Sequence, residues 1–420
     1  MFKSHRWRRL AAMAFSVTAV TAWADDSGIA LELPEAQQLA VTRQPMLEAQ
    51  AAAAAAAHDA AVAAAQLPDP KLTGGMSSWP VDGPDRYSLR RDDFTMINVG
   101  IEQEFPRAGK RRLRGARGEH EAELAEQALT ASRLEVQRDV ALAWLDVWRP
   151  ERALELTRGT LREAGLQIQA TEIAYTASRA TQADVLAARV ALSLLRDEAT
   201  SLEDEAQIAR SRLSRWIGAE AAQRLLCVDL PAWAPPAPLA ELLTRLRQHP
   251  HLNTENQRVA IAEDDVALAR QAYKPDWSAG LSYGYRPDFS DYVSLNVSVD
   301  LPVFTGRRQD RELSAKLAEQ TQAERSREDM FRQEEADLRL NWLGWQRLQT
   351  RIGQFDADIL PQSQQRIDAA LAAWQAGQGT LAAVLDARRM ALDNRMKRLE
   401  LVTAAARYRV ALQYFAGDSQ

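Results

Sequence analysis

The sequence predicts a mainly α-helical protein with two internal repeats, each of which contains long coiled-coil helices and two β-strands. Three observations predict this fold class. Segments recur in the same order about 200 residues apart, apolar residues recur every seven positions in helix-forming stretches, and four short segments alternate apolar and polar residues. Of the 420 residues, 46% are hydrophobic and 26% are charged, as in an ordered protein.

Residues 1–24 have the order of a secretory signal peptide, in which basic residues precede an apolar run and small residues. We expect cleavage after Ala24. Removal of the four basic residues of this segment leaves 48 basic and 57 acidic residues, a balance that argues against nucleic-acid binding. The only cysteine, Cys227, lies far from the cleavage site and predicts neither a disulfide framework nor a lipid attachment there. No later stretch reaches the ~18 apolar residues of a membrane-spanning helix, so we expect an exported protein without a helical anchor.

The duplication is clearest in residues 175–189 and 374–388, which share seven of fifteen residues at an offset of 199. Other segments correspond in the same order, while the offset drifts only between 196 and 205. This pattern indicates one unit that has been copied once. The sequence therefore predicts a first repeat over 25–217, a Pro-rich linker over 218–238 and a second repeat over 239–420.

Long helices are predicted over about 108–176 and 182–217, and again over about 307–374 and 380–416. At 1.5 Å per residue the first would span roughly 100 Å, which is deeper than a globular core. Past the first turn, a five-heptad seam runs from Val185 to Trp216 and is rich in small residues. The seam alone leaves an ordinary helical bundle open as an alternative. Pro150 lies inside the first long helix, and we expect it to kink or break that helix.

Strands are predicted over about 71–82, 94–105, 276–286 and 292–303, with apolar residues on one face and small or polar residues on the other. Such segments of ~10 residues suit a transmembrane β-barrel, although half-buried strands of soluble proteins also alternate. Four strands cannot close a barrel, and lipid tolerates no unpaired strand edge. Three copies of the chain would supply twelve strands and a tube of twelve helices.

The chain resembles the TolC-like outer-membrane efflux factor family over essentially its whole mature length. The resemblance is carried by the two repeats, by Pro68-Asp-Pro70 before a strand, by the strand-to-helix junctions at Gly109 and Gly306, and by the duplicated segment. The stretch FPRAGKRRLR is also similar to the heavy-metal efflux branch of that family.

This resemblance implies a trimeric 12-strand β-barrel in the outer membrane of a Gram-negative bacterium, continued by a periplasmic α-helical barrel. It further implies the exit duct of a tripartite efflux system, a passive conduit for heavy-metal cations that is gated at its periplasmic tip. The implied partners are two further copies of the chain, a periplasmic adaptor (membrane fusion) protein, an inner-membrane pump of the RND type and outer-membrane lipid.

The resemblance also implies a gate at the two helix turns of the duplicated segment. Tyr175 and Trp374 match the aromatic residue that opens each turn, Asp184 matches a gate aspartate, and Asp386 matches an aspartate that lines the constriction. For Asp184, helix capping together with Thr181 is an equally weighted alternative. Three copies of Asp386 that meet on an axis would repel one another and favour cations.

Gly379 stands where some members of the family have a gate arginine. The salt-bridge latch of those members therefore cannot form in the same way, and Arg179 or Gln378 are the expected substitutes.

Other motifs are not expected to carry chemistry. The G-x-S-x-G pattern at 280–284 lies in a predicted strand, whereas a nucleophile elbow needs a strand-to-helix turn. We expect the basic cluster between Arg107 and Arg117 to bind lipid phosphates. His249 and His251 lack the spacing of a metal site and are expected to be solvated. No catalytic, cofactor or metal site is expected. Two competing hypotheses are a soluble periplasmic coiled-coil scaffold or adaptor and a general diffusion porin.

Overall fold

The computed structural model describes residues 30–417, so the predicted signal peptide lies outside the described residues. The first half of the chain contains α1 (Leu33–Arg43), α2 (Pro45–Ala64), β1 (Lys71–Ser77), β2 (Met96–Phe105), α3 (Ala108–Thr176), α4 (Gln182–Ile217) and the short α5 (Ala219–Ala222). The second half contains α6 (Leu239–Leu246), α7 (Pro250–Gln271), β3 (Trp277–Tyr285), β4 (Tyr292–Val299), α8 (Gln309–Gln354), α9 (Leu360–Gln375) and α10 (Leu381–Ala416). Over residues 30–417 the protein is mainly helical with one small antiparallel sheet, whereas a general diffusion porin lacks such long helices.

Helix α3 is continuous over 69 residues and passes through Pro150, so of the expected kink or break the break does not occur. A proline inside a helix removes one backbone hydrogen bond and costs about 3 kcal/mol. The buried residues on either side of Pro150 offset this cost, because Trp148 and Ala153 both pack in the main hydrophobic core.

The four strands form one sheet in the order β1-β2-β3-β4, with every neighbouring pair antiparallel. The register places apolar residues opposite one another, as in the row of Leu72, Ile101, Leu281 and Leu295. This apolar face lies uncovered in the single chain, since Leu72 is 81% exposed and Leu295 is 73% exposed. The opposite face carries small and polar residues, and strands β1 and β4 are the two edges of the sheet.

Two tryptophans of α3 hold the two ends of the first half together. Trp144 is fully buried and donates a hydrogen bond from its Nε1 to the carbonyl of Leu31 at 3.2 Å. Trp148 donates in the same way to the carbonyl of Val228 at 3.0 Å. Leu31 also forms a parallel bridge with Leu226. The start of the described chain and the linker therefore pack together on the middle of α3.

A single π-helical turn, Phe355–Ile359, joins α8 to α9. The offset between the repeats is 198 at Trp144 and Trp342 but 199 at Tyr175 and Trp374, so the second repeat has one extra residue between these points. A π-helical turn accommodates one extra residue without ending the helix. Pro361, two residues after the turn, cannot donate a backbone hydrogen bond, which favours a local departure from α-helical geometry here.

The expectation that His249 and His251 are solvated is wrong. His249 is 2% exposed, and its Nε2 lies 3.0 Å from the carbonyl oxygen of Tyr414, to which it donates. Its Nδ1 accepts from the backbone N–H of His251, so the ring is neutral. His251 in turn lies 2.8 Å from the carboxylate of Glu334. Burial lowers the pKa of His249, whereas the hydrogen bond with Glu334 raises the pKa of His251.

None of the helices within residues 30–417 is both long and apolar enough to cross a membrane.

Helices α2 and α3 approach each other closely at small residues, and this contact provides a first prediction. A Cβ on Gly118 would lie 2.7 Å from the Cα of Ala61, whereas a Cβ on Gly165 of the same helix would meet no atom within 4 Å. We expect Gly118→Ala to lower the free energy of unfolding by about 1–3 kcal/mol through overpacking. The control Gly165→Ala should raise it by up to about 1 kcal/mol through helix propensity. Thermal unfolding followed by circular dichroism measures both, and equal stabilisation by the two changes would contradict the packing shown here.

The two histidines predict opposite dependences of stability on pH. The folded pKa of His249 lies below the unfolded value of about 6.5, so its contribution to stability is lost as the pH falls below that value. The folded pKa of His251 is raised, so its contribution is fully present at low pH and is lost as the pH rises through the folded pKa. On acidification from about pH 7.5 to about pH 5, His249→Gln should therefore reduce the loss of thermal stability, and His251→Gln should increase it. Identical pH slopes in the wild type and both variants would refute this assignment.

Candidate functional site at the tips of the helical hairpins

The two predicted gate segments form hairpin turns with the same backbone geometry. In each turn a residue with positive φ follows the helix end, namely Ser178 at 54° and Gly377 at 73°. The next amide, of Arg179 or Gln378, donates to a carbonyl five residues earlier, at 2.8 Å and 2.9 Å respectively. Glycine adopts positive φ without strain, while serine does so at a cost, so the second turn is the less strained of the two.

Asp184 takes part in the cap of α4, as the alternative interpretation held. The Thr181 hydroxyl accepts from the backbone N–H of Asp184 at 3.2 Å, and the Asp184 carboxylate accepts from the backbone N–H of Thr181 at 2.8 Å. The backbone hydrogen bond from Thr181 lowers the pKa of Asp184. In the second turn Thr380 caps α10 with its hydroxyl, but Ala383 stands where Asp184 stands in the first turn. The second turn therefore has half of this capping arrangement.

The other three predicted residues, Tyr175, Trp374 and Asp386, also lie near the ends of the hairpins. Tyr175 is 48% exposed and Trp374 is half-buried, each in the last turn of its helix. Asp386 is exposed in the second turn of α10, and its carboxylate has no hydrogen-bond or ion-pair partner within residues 30–417. Within the described chain, no hydrogen bond, ion pair or ring contact joins any two of the four predicted gate residues.

The expected substitutes for a latch arginine do not link the hairpins, since the side chains of Arg179 and Gln378 have no polar partner in the described part of the chain. A Cβ on Gly379 would lie 3.1 Å from the backbone nitrogen of Trp374, so a side chain there would require a small local shift.

Two arginines that sequence reasoning missed connect α10 to the first hairpin. Arg388 lies 3.4 Å from the carboxylate of Glu163 on α3, and Arg389 lies 3.0 Å from the carboxylate of Glu198 on α4. Arg388 belongs to the duplicated segment, where it corresponds to Arg189. That correspondence was the one available signal, but Arg189 pairs within its own hairpin, with Glu172 at 2.7 Å.

The basic cluster at the start of α3 is partly neutralised inside the protein. Lys110 pairs with Asp276 at 2.5 Å, and Arg117 pairs with Asp265 at 2.6 Å. Arg107 donates from Nε to the carbonyl of Pro275 at 2.8 Å. These three side chains therefore fasten α3 to α7 and to the segment that leads into β3.

The remaining motifs show no arrangement for catalysis or metal binding in the described residues. The G-x-S-x-G pattern lies entirely within β3, so Ser282 is not at a strand-to-helix turn. Among residues 30–417 there is no group of three or more His, Cys, Asp or Glu side chains placed to hold a metal ion.

Comparisons with known proteins agree with this architecture. The chain is similar to the outer membrane protein VceC from Vibrio cholerae, with a TM-score of 0.78 and 20% identity over 92% of this chain and 96% of that chain. It is similar to CusC, with a TM-score of 0.80 and 18% identity over 93% of each chain. It is also similar to the outer-membrane channel OprN, with a TM-score of 0.79 and 18% identity over 100% of this chain and 99% of that chain. At these identities the likeness establishes the fold.

A search of curated proteins gave no match. Residues 36–219, which include α2 to α4 and the first hairpin turn, match the model of the outer membrane efflux protein family. The remainder of the chain repeats the order of these elements within a fold that the solved channels share. The first half of the chain is thus similar to the outer membrane efflux protein family.

Proposed function

We propose that this protein is the outer-membrane exit duct of a tripartite efflux system in a Gram-negative bacterium. Three copies would form a 12-strand β-barrel that continues into a periplasmic α-helical barrel, and each copy would contribute the repeats 25–217 and 239–420 joined by 218–238. The observation that carries the proposal is the sheet, whose continuous apolar face lies exposed while its two edge strands have no further neighbour among residues 30–417.

The physical argument concerns the backbone groups of β1 and β4. Each unpaired N–H or C=O group costs several kcal/mol in hydrocarbon, so a sheet whose apolar face meets lipid must close on itself. Pairing of β4 with β1 of the next copy satisfies both edges at once. In water, the same exposed face would be a large apolar patch, which disfavours the soluble scaffold.

The length of the helices also supports the proposal of a conduit. Helix α3 begins three residues after β2 ends and runs for 69 residues, which corresponds to roughly 100 Å. A tube built from such helices would reach deep into the periplasm, where an adaptor protein and an inner-membrane pump of the RND type would supply contact and energy.

The gate is proposed to lie at the hairpin tips, with Tyr175, Asp184, Trp374 and Asp386 at the constriction. Asp184 would fix the turn through its cap, and Asp386 would supply the free charge, because of these two aspartates only Asp386 has a carboxylate without a partner in the described chain. Heavy-metal cations are the proposed cargo, on the basis of the FPRAGKRRLR resemblance and of this acidic ring.

The proposal predicts the behaviour of the full-length protein. Expressed in a Gram-negative host, it should fractionate with the outer membrane, migrate as a heat-resistant trimer in detergent gels and conduct ions in planar bilayers, because closure of the sheet requires further copies. A water-soluble single subunit without conductance would contradict the proposal and favour the scaffold.

The acidic ring predicts a change in ion selectivity. Asp386→Asn removes the free carboxylates and should lower cation preference, which is measured as a shift of the reversal potential in a salt gradient toward zero. Asp184→Asn is the matched control, and a smaller shift is expected because its carboxylate is already engaged in the cap. Unchanged reversal potentials for Asp386→Asn would exclude the ring.

A further inference from the structure

Two loops lie at the end of the sheet that faces away from the long helices. The long loop, residues 78–95, joins β1 to β2, and the short loop, residues 286–291, joins β3 to β4. The strands are antiparallel, and α3 and α8 follow β2 and β4 at the opposite end, so both loops lie at the same end. Because β2 pairs with β3, the long loop of the first repeat lies beside the short loop of the second. In the proposed barrel the two loops would surround the outer mouth.

A buried arginine joins the two loops. Arg286, the first residue of the short loop, is 8% exposed although its guanidinium is charged. Its backbone N–H donates to the carboxylate of Asp291 at 2.9 Å, and its Nε donates to the carbonyl of Ser290 at 2.7 Å, both within the short loop. Its Nη1 donates to the carbonyl of Asp93 in the long loop. The guanidinium also lies over the ring of Tyr292, 3.9 Å from the centroid.

The charge of Arg286 favours contact between the loops over their separation. A buried cation is stable only while its donors are hydrogen-bonded, so each carbonyl that it contacts has an energetic role. Movement of the long loop would break the hydrogen bond to the Asp93 carbonyl, which is stronger than a bond between two neutral groups because its donor is charged. Arg286 therefore links a loop of the first repeat to a loop of the second.

The long loop also has an ordered conformation of its own. Thr95 is 1% exposed, and its hydroxyl lies 2.9 Å from both the carbonyl of Ser78 and the carboxylate of Asp92. The rings of Trp79 and Tyr87 meet edge to face, with centroids 5.7 Å apart. Ser78 and Tyr87 both have a φ of 57°, in the left-handed region that residues other than glycine rarely adopt. Such backbone angles persist only where the surrounding contacts fix them.

We propose that Arg286 holds the long loop and the short loop in one arrangement, so that the outer mouth of the proposed duct is an opening of fixed shape. This inference rests on the proposed function and extends it, because it assigns no gating movement to the loop end of the sheet. Opening and closing would then be confined to the hairpin tips at the other end of the helices.

Limited proteolysis of the assembled full-length protein in detergent tests the link between the loops. Trypsin cuts after Arg86 or Arg90 in the long loop at a rate that depends on how often the loop opens. Arg286→Gln should be cut there about tenfold faster than the wild type, because a hydrogen bond of a charged group is lost. Arg327→Gln, at an exposed arginine on α8, is the matched control and should be cut in the long loop at the wild-type rate. Equal rates in all three proteins would overturn the link.

A second variant keeps the test decisive if Arg286→Gln does not assemble. Arg286→Lys retains the charge but replaces a planar group that has donors in fixed directions with a single ammonium. One ammonium does not reproduce the contacts to both loops, so this variant should also be cut in the long loop faster than the wild type. A wild-type rate for an assembled Arg286→Lys would overturn the link.

Planar-bilayer recordings test the fixed shape of the mouth. The wild type and Arg327→Gln should show a steady open-channel current, whereas Arg286→Gln should show additional current noise, because a moving long loop would change the width of the mouth. Faster cleavage of Arg286→Gln without additional noise would overturn the proposal that the link fixes the mouth. If the wild type conducts no current, the proposed function fails, whereas the cleavage rates still decide whether Arg286 links the loops.

Discussion

The unsatisfied edges of the sheet are the constraint on which the rest of this protein depends. A face formed by residues such as Leu72, Leu281 and Leu295 is stable next to lipid only if every backbone group around it is hydrogen-bonded. The chain contributes four strands in the order β1-β2-β3-β4, and this arrangement leaves one edge at each end. In the proposed barrel, closure would therefore come from other copies. The duplicated architecture follows, because each repeat supplies one strand pair and one long helical hairpin.

The helices would continue the proposed barrel away from the sheet. Helix α3 is a single element from the end of β2 to the first hairpin turn, and its middle is fastened by Trp144 and Trp148 to both the start of the described chain and the linker. The second repeat is less regular, with a π-helical turn at Phe355–Ile359 and a longer junction after β4. The two halves of the proposed conduit thus share the order of their elements but differ in local backbone geometry.

Features with a local physical cause could be predicted from the sequence. Alternation predicted the strands, the heptad seam lies on the buried face of α4, and Thr181 with Asp184 predicted a helix cap that the structure shows. Features set by contacts between distant segments could not be predicted. The burial of His249 depends on Tyr414, and the ion pair of Arg388 depends on Glu163, more than 200 residues away in the chain. The π-helical turn could be predicted only in part. The offset between the two repeats changes from 198 to 199, which indicates one extra residue but does not give its conformation.

The gate assignment remains a prediction. The two turns differ in sequence, and this difference determines which carboxylate is engaged in a cap and which is free. In the first turn the carboxylate of Asp184 is used by the cap, where the hydrogen bonds from Thr181 favour its ionised form without leaving it free to meet a cation. In the second turn Ala383 has replaced that carboxylate, and Asp386 supplies one that no group in the described chain engages. A trimer would then present three free carboxylates at the tip rather than six. Fewer like charges on one axis would repel one another less than six would. In the proposed gate, the carboxylate of the first turn therefore caps a helix, whereas the carboxylate of the second turn supplies the free charge.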